Sequence, residues 1–415
     1  MVQIEPLSNL SAIVTIPGSK SCTARALVMA ALTQGHSTLR EPADCDDADR
    51  MIEGLQALGV PVAKAPGAIR VEGYRFLPPE QPLMLGNSGT AMRFLTAACA
   101  TMHGTVILDG TARMRERPIG DLLASLQKWG VSTSPDTGFP PITVKSTGAF
   151  GGPTSVKGNA SSQYLTGLLM VAPKATEDVV IDIDGELVSK PYIGLTIDMM
   201  AERGVIVENH DFARFTVTAG QPYAAGSYAI EADASGASYF LAAAAVAKGC
   251  VRVLNLNSRS KQGDAKFAGV LGQMGCEVRE GPDWIEVTSN GTLHGIDVDL
   301  NAMPDMAQTL AVTALFAKGE TTIRNVANLR IKECDRIDAT TTELRKLGAK
   351  VEEFEDGWRI TPGQYKAADI DTYDDHRMAM SFALAGLRIP GVRIKDPGCV
   401  SKTFPDFFER FSKLS

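Results

Sequence analysis

Histidine is scarce in this chain: five residues, dispersed, with no HxxxH or HExxH pair. A transition-metal site built by the protein needs imidazoles or thiolates at ligand spacing, so none is expected. Cysteine does not supply one either. Cys22, Cys45, Cys99, Cys250, Cys276, Cys334 and Cys399 are odd in number, scattered and without a CxxC, the usage of a reduced compartment. No apolar run approaches the roughly 20 residues that span a bilayer. The start, MVQIEPLSNL, lacks a charged-then-apolar leader pattern, so a cytoplasmic chain away from membranes is expected; a monomer is the separate expectation for its assembly. A formal net charge of −7 leaves no general basic excess for nucleic acid. There is no GxxxxGK[ST] loop and no strand-linked GxGxxG, hence no positive sign of a nucleotide.

What is present is a repeat. Six times a cluster of small or polar residues opens an apolar, Ala- or Leu-rich run: at Ser19, Ser88, Ser161, Ser235, Asp305 and Asp375. The interval is roughly 70 residues throughout, which means one structural unit used repeatedly. Each opening has the composition of a helix N-terminus, the end that attracts anions. A second series keeps the same period. Amphipathic segments end at Gly59, Gly130, Gly204, Gly275 and Gly348, and alternating runs such as AIRVEG and PITVKS follow. Each unit therefore reads as a buried helix, a strand, an amphipathic helix and a hairpin. The sixth ends early, in GLRIPGVRIKDP. At 415 residues the chain exceeds one core, so two domains are expected.

Basic clusters stand at several of these openings against the acidic background. PGSKSCTAR puts Lys20 and Arg25 at the head of an apolar helix. LGNSGTAMRFL offers Gly89, Thr90 and Arg93. RMRERPIGDLL crowds three arginines before Pro118, read as a first helical residue. SSQYL gives Ser161, Ser162 and Gln163. NLRIKECDRID gathers Lys332, Glu333, Asp335 and Arg336, with Lys332 and Arg336 on one helical face and Glu333 among cations. YDDHRMAM places His376 and Arg377 at a buried helix start. Singly, each also reads as a capped helix with solvated charges. Together they imply two bundles of parallel buried helices whose N-termini face a shared cleft, fit for a ligand carrying several phosphate or carboxylate groups.

PGSKS, GNSGTAMR, RERPIG, SSQYLTGLLM, VSKPYI, DASGASYFLAAAA, MPDMAQTLA, KECDRI, DDHRMAM and SKTFPDFF also occur in the order seen in the EPSP synthase family, from about residue 10 to the C-terminus. The resemblance implies an α/β fold: a two-domain inside-out barrel of six βαβαββ repeats, three per domain. One domain would span 14–230, the other 1–13 with 231–415. It implies transfer of the enolpyruvyl group of phosphoenolpyruvate to the 5-hydroxyl of shikimate 3-phosphate, without metal or organic cofactor. The sugar-nucleotide enolpyruvyl transferases share the fold, and a non-catalytic anion-binding module is the other alternative.

Carried over by motif, the shikimate 3-phosphate site would comprise Lys20, Ser21, Arg25, Ser161, Ser162, Gln163, Ser189, Tyr192, Asp305, Asn328 and Lys332. The phosphoenolpyruvate site would comprise Lys20, Gly89, Arg117, Gln163, Arg336, Arg377 and Lys402. Asp305 resembles the base for the hydroxyl proton and Glu333 the group that protonates the methylene carbon. His376 and Lys402 would manage charge and protons on the leaving phosphate, and Lys20, shared by both subsites, would be catalytic as well. Ala24, Phe94, Cys334 and Asp374 depart from the family pattern without removing any of these groups. Phe94 stands where many members carry proline, beside the Gly89–Thr90 pair, so the resemblance does not carry over sensitivity to the herbicide glyphosate.

Overall fold

A computed structural model describes every residue except Ser258 and Ser415. The chain forms two compact units: Lys20–Ile230, and Met1–Ser19 together with the chain from Glu231 onward. The second unit claims the first 19 residues because Leu10–Thr15 pairs in parallel with Gly249–Leu254, far along the chain.

In the Lys20–Ile230 unit the core is three apolar helices, Lys20–Leu32, Gly89–Ala98 and Ser162–Val171. Every residue of Gly89–Ala98 is buried. Small residues at the closest contacts let the helices pack on all sides. Gly167 shows why: a methyl there would lie 3.1 Å from Ala97 Cβ, so the two helices touch almost backbone to backbone. The helices run the same way, since Gln163 meets Thr90 at one end and Gly167 meets Ala97 further along.

Three four-stranded sheets belong to this unit. Each begins with a parallel pair: Ser227–Ala229 with Gly35–Arg40, Leu83–Met84 with His103–Asp109, and Gly152–Lys157 with Val179–Asp184. An antiparallel hairpin extends each one. Burial alternates along a strand such as Ala68–Gly73, the pattern of a sheet with one face on the core. The amphipathic helices stop at glycines in the left-handed region, Gly59 at φ 83° and Gly130 at φ 82°, where a side chain would be strained.

The other unit repeats this plan around Ala234–Ala247, Ala307–Ala314 and His376–Gly386. Gln308 beside Met378 and Thr309 beside Ser381 give the last two a common direction. Two sheets again combine a parallel pair with a hairpin. The third has the parallel pair Asp369–Ile370 with Arg393–Ile394, and no hairpin follows it. Val2–Gln3, from the start of the chain, pairs antiparallel with Arg393–Ile394 instead. Near the C-terminus, Phe404, Phe407 and Phe411 pack their rings around Phe240 at 5.8–6.1 Å. Among the described residues, no helix is long and apolar enough to cross a membrane.

Four local readings are corrected. The helix after Pro118 starts at Gly120, because Ile119 has left helical geometry (ψ 0°). Asp233, not Ser235, caps its helix by accepting the Gly236 amide; Ser235 lies inside the first turn and donates to Asp264. Asp305 sits in a short turn, Pro304–Met306, ahead of the helix it was expected to open. Lys332 and Arg336 do not share a helical face. Lys332 is in extended backbone after the turn Ala327–Ile331, and Arg336 is the first residue of the next helix.

Candidate active site

In the Lys20–Ile230 unit the helix starts carry the predicted groups. Ser88 accepts the Ala91 amide and Ser161 the Gln163 amide, so these caps satisfy one N–H each and leave the others of the first turn directed outward. Gln163 donates through Nε2 to Thr90 Oγ1 at 3.3 Å, joining two of the starts. Ser162 is buried in the first turn. Lys20, the first residue of its helix, places Nζ 3.2 Å from the buried Asp47 carboxylate.

Arg25 lies one turn deeper. Its Nε donates to Thr196 Oγ1 at 2.8 Å, Nη1 to the Ser21 carbonyl at 2.9 Å, and Nη2 to the Tyr192 carbonyl at 3.3 Å. The rings of Phe94 and Tyr192 flank the guanidinium at 5.5 and 5.9 Å. Among the described residues every one of its polar partners is neutral. Burial therefore acts almost unopposed and pulls its pKa down to about 10. Burying a cation without a carboxylate is costly. Phe94 is fully buried and supplies one wall of this arrangement. Ser189, at φ 55°, is a non-glycine residue in the left-handed region, a strain of about 1–3 kcal/mol that marks candidate functional positions.

Gly89 meets two guanidinium groups. A methyl at its Cα would lie 2.3 Å from Arg93 Nη1 and 2.7 Å from Arg117 Nη2. Arg117 also donates through Nη1 to the carbonyl and side-chain oxygens of Asn87, at 3.1 and 3.2 Å.

In the other unit the predicted groups form one ionic network. Arg336, 2% exposed, donates to Asp375 through Nε at 2.7 Å and Nη2 at 3.1 Å, to Asp305 at 3.0 Å and to Glu333 at 3.0 Å. Burial alone would depress its basicity, but Asp375, Glu333 and Asp305 outweigh it and hold the charge in place. Asp305 is shared, its second oxygen accepting from Arg377 Nη2 at 2.8 Å. Arg377 also donates to Tyr239 Oη at 3.2 Å. Lys402 Nζ lies 3.9 Å from Glu333, and His376 Nδ1 lies 3.5 Å from Asp375. Asn328 is buried with Oδ1 lacking a partner among the described residues. Lys332, next to Glu333 in the chain, is half-buried.

Sequence reading left out Asp375 as a site residue. Its carboxylate is fully buried, caps the His376–Gly386 helix and grips Arg336 with both oxygens. The one signal was its place at the repeat phase. It also left out Asp47, for which the acidic run DCDDAD was the only sign. Tyr373 and Asp374, both left-handed at φ 55° and 54°, turn the chain so that Asp375 enters the network.

Arginines buried at the starts of parallel helices, with carboxylates set among them, define a class: two-unit α/β enzymes that hold small polyanions on fixed cations. The sequence profile of EPSP synthase (3-phosphoshikimate 1-carboxyvinyltransferase) matches residues 4–411. The chain belongs to the EPSP synthase family. The 3-phosphoshikimate 1-carboxyvinyltransferase of Aliivibrio salmonicida is 47% identical to it over 422 residues, covering 99% of each chain. That of Shewanella loihica is 48% identical over 423 residues, covering 100% of this chain and 99% of its own. Among solved structures, EPSP synthase from Acinetobacter baumannii has a TM-score of 0.82 at 23% identity, covering 100% of this chain and 98% of its own, a likeness of fold.

Proposed function

We propose that this chain transfers the enolpyruvyl group of phosphoenolpyruvate to the 5-hydroxyl of shikimate 3-phosphate, with release of phosphate, and that its units are three-repeat halves of an inside-out α/β barrel. The observation that supports the reaction most is full-length identity of 47–48% to 3-phosphoshikimate 1-carboxyvinyltransferases.

In this reading Lys20, Ser21, Arg25, Ser161, Ser162, Gln163, Ser189 and Tyr192 hold shikimate 3-phosphate, with Asp305, Asn328 and Lys332. Lys20, Gly89, Arg117, Gln163, Arg336, Arg377 and Lys402 hold phosphoenolpyruvate. A hydroxyl is a weak nucleophile, so Asp305 takes its proton as the oxygen attacks C2 of the enol. Glu333 delivers a proton to C3. The resulting tetrahedral carbon carries phosphate and carboxylate together, and fixed cations stabilise that charge without reorganising. Glu333, now a carboxylate, takes a proton back from C3 as the C2–O bond to phosphate breaks, and phosphate leaves with the proton that Asp305 had taken, its charge managed by Lys20, Lys402 and His376. The test is phosphate release from phosphoenolpyruvate with two acceptors. Release is expected with shikimate 3-phosphate; release only with UDP-N-acetylglucosamine overturns the reading.

Two variants separate binding from scaffold. Lys20→Ala is expected to reduce turnover by roughly 10²–10³-fold, the scale of one preorganised donor, with an unchanged far-ultraviolet dichroism spectrum. Wild-type turnover would remove Lys20 from both subsites. Arg25→Met is expected to keep or raise the unfolding midpoint, because it removes a buried cation with no paired acid and fills the space. The same change is expected to weaken shikimate 3-phosphate roughly 10- to 100-fold, as for a lost charged hydrogen bond. Calorimetric titration reads the second effect. A fall in stability with unchanged affinity would assign Arg25 to the scaffold.

A further inference from the structure

We propose that Arg93 is a positioning residue for the phosphoenolpyruvate subsite, acting through the segment that carries Arg117. The inference rests on the assignment of Gly89 and Arg117 to that subsite and adds a residue to it.

Arg93 is 4% exposed and lies in the second turn of the Gly89–Ala98 helix. Nη1 donates to the Gly89 carbonyl at 2.9 Å and Nη2 to the Pro118 carbonyl at 3.2 Å. One side chain therefore ties the helix start to the residue that follows Arg117. Tyr164 reinforces the tie from a neighbouring helix: its hydroxyl donates to the same Pro118 carbonyl at 2.6 Å, and the Arg93 guanidinium lies over its ring at 5.9 Å. Arg93 has no carboxylate partner among the described residues, and its Nε makes no hydrogen bond. A side chain recruited only for stability would not leave a buried charge so poorly compensated. Its near contact with Gly89, shared with Arg117, places both guanidinium groups on one small surface of the backbone. Fixing Pro118 fixes the backbone from which Arg117 projects, so the Arg117 guanidinium is held at Gly89 before an anion arrives. The energy of ordering it need not then be found at binding.

The test compares Arg93→Met, Arg93→Lys and Tyr164→Phe in steady-state phosphate release and in calorimetric titration with phosphoenolpyruvate, alone and with shikimate 3-phosphate. For Arg93→Met the KM for phosphoenolpyruvate is expected to rise roughly 10- to 100-fold, as for a lost charged hydrogen bond. The dissociation constant of shikimate 3-phosphate should move less than about twofold, since no bond to its subsite changes. Arg93→Lys should recover part of the loss. Tyr164→Phe removes a neutral donor and should raise the same KM by roughly 2- to 10-fold. An unmoved KM in Arg93→Met overturns the proposal, as does equal weakening of both substrates with a lowered unfolding midpoint. The titration decides the point separately from the reaction assigned above. If the wild-type protein binds phosphoenolpyruvate but gives no turnover, selective loss in Arg93→Met still supports the positioning role, and its absence still ends it.

Discussion

Asp305→Asn is expected to lower turnover by roughly 10²–10⁴-fold, the contribution of a positioned general base, while phosphoenolpyruvate binds as well as before or better. The loss follows from chemistry, since an amide cannot take the hydroxyl proton. The gain follows from geometry. Asp305 places one oxygen 3.0 Å from Arg336 and the other 2.8 Å from Arg377. Those are the guanidinium groups proposed to receive the substrate's carboxylate. The protein's own carboxylate and the substrate's therefore compete for the same donors, and the substrate must displace an ion pair before Asp305 can act as a base. Asparagine keeps the shape and removes the competing charge. Single-turnover phosphate release and calorimetric titration measure the two effects separately. Near-normal turnover would exclude Asp305 as the base. Weaker binding alongside lost turnover would show that Asp305 shapes the arginines and does not compete for them.

The second large effect concerns stability. Asp375→Ala is expected to destabilise its unit by about 3–5 kcal/mol, the cost of breaking a buried ion pair from one side. Glu333 and Asp305 still face Arg336, so the value should fall toward the lower end. Part of the loss belongs to the helix cap, because Asp375 accepts the Arg377 amide at 2.9 Å, a bond worth about 1 kcal/mol. Asp375→Asn separates the two contributions, since asparagine caps as well as aspartate and only the charge is lost. Urea unfolding should rank the stabilities wild type, then Asp375→Asn, then Asp375→Ala. An alanine variant that unfolds at the wild-type midpoint would mean that the network contributes nothing net. The asparagine variant should also raise the KM for phosphoenolpyruvate, because Arg336 loses the two-point grip that orients it.

The sequence reading fared best where a feature depends on near neighbours. Ser88, Ser161 and Asp375 cap helices where the repeat phase put them, and Gly59 and Gly130 end helices in the left-handed region. Errors arose at the next scale. Lys332 and Arg336 have helical spacing, yet a turn and extended backbone separate them. Ser235 looked like a cap, but Asp233 reaches the Gly236 amide first. Spacing alone does not say whether the residues between two positions are helical.

By itself the chain determined its alternation of apolar helix and strand, its small-residue openings and the chemical types gathered there. Those follow from periodicity, composition and backbone preference, all local quantities. Only the tertiary structure decided which charges meet. Arg25 finds Thr196, 171 positions away, and no acid among the described residues, whereas Arg336 finds Asp375, 39 positions away, together with two further carboxylates. In sequence both are arginines near the start of a helix. Their difference lies in what long-range packing brings within about 3 Å in a medium of low dielectric, where the presence or absence of one carboxylate separates a self-neutralised cation from an uncompensated one.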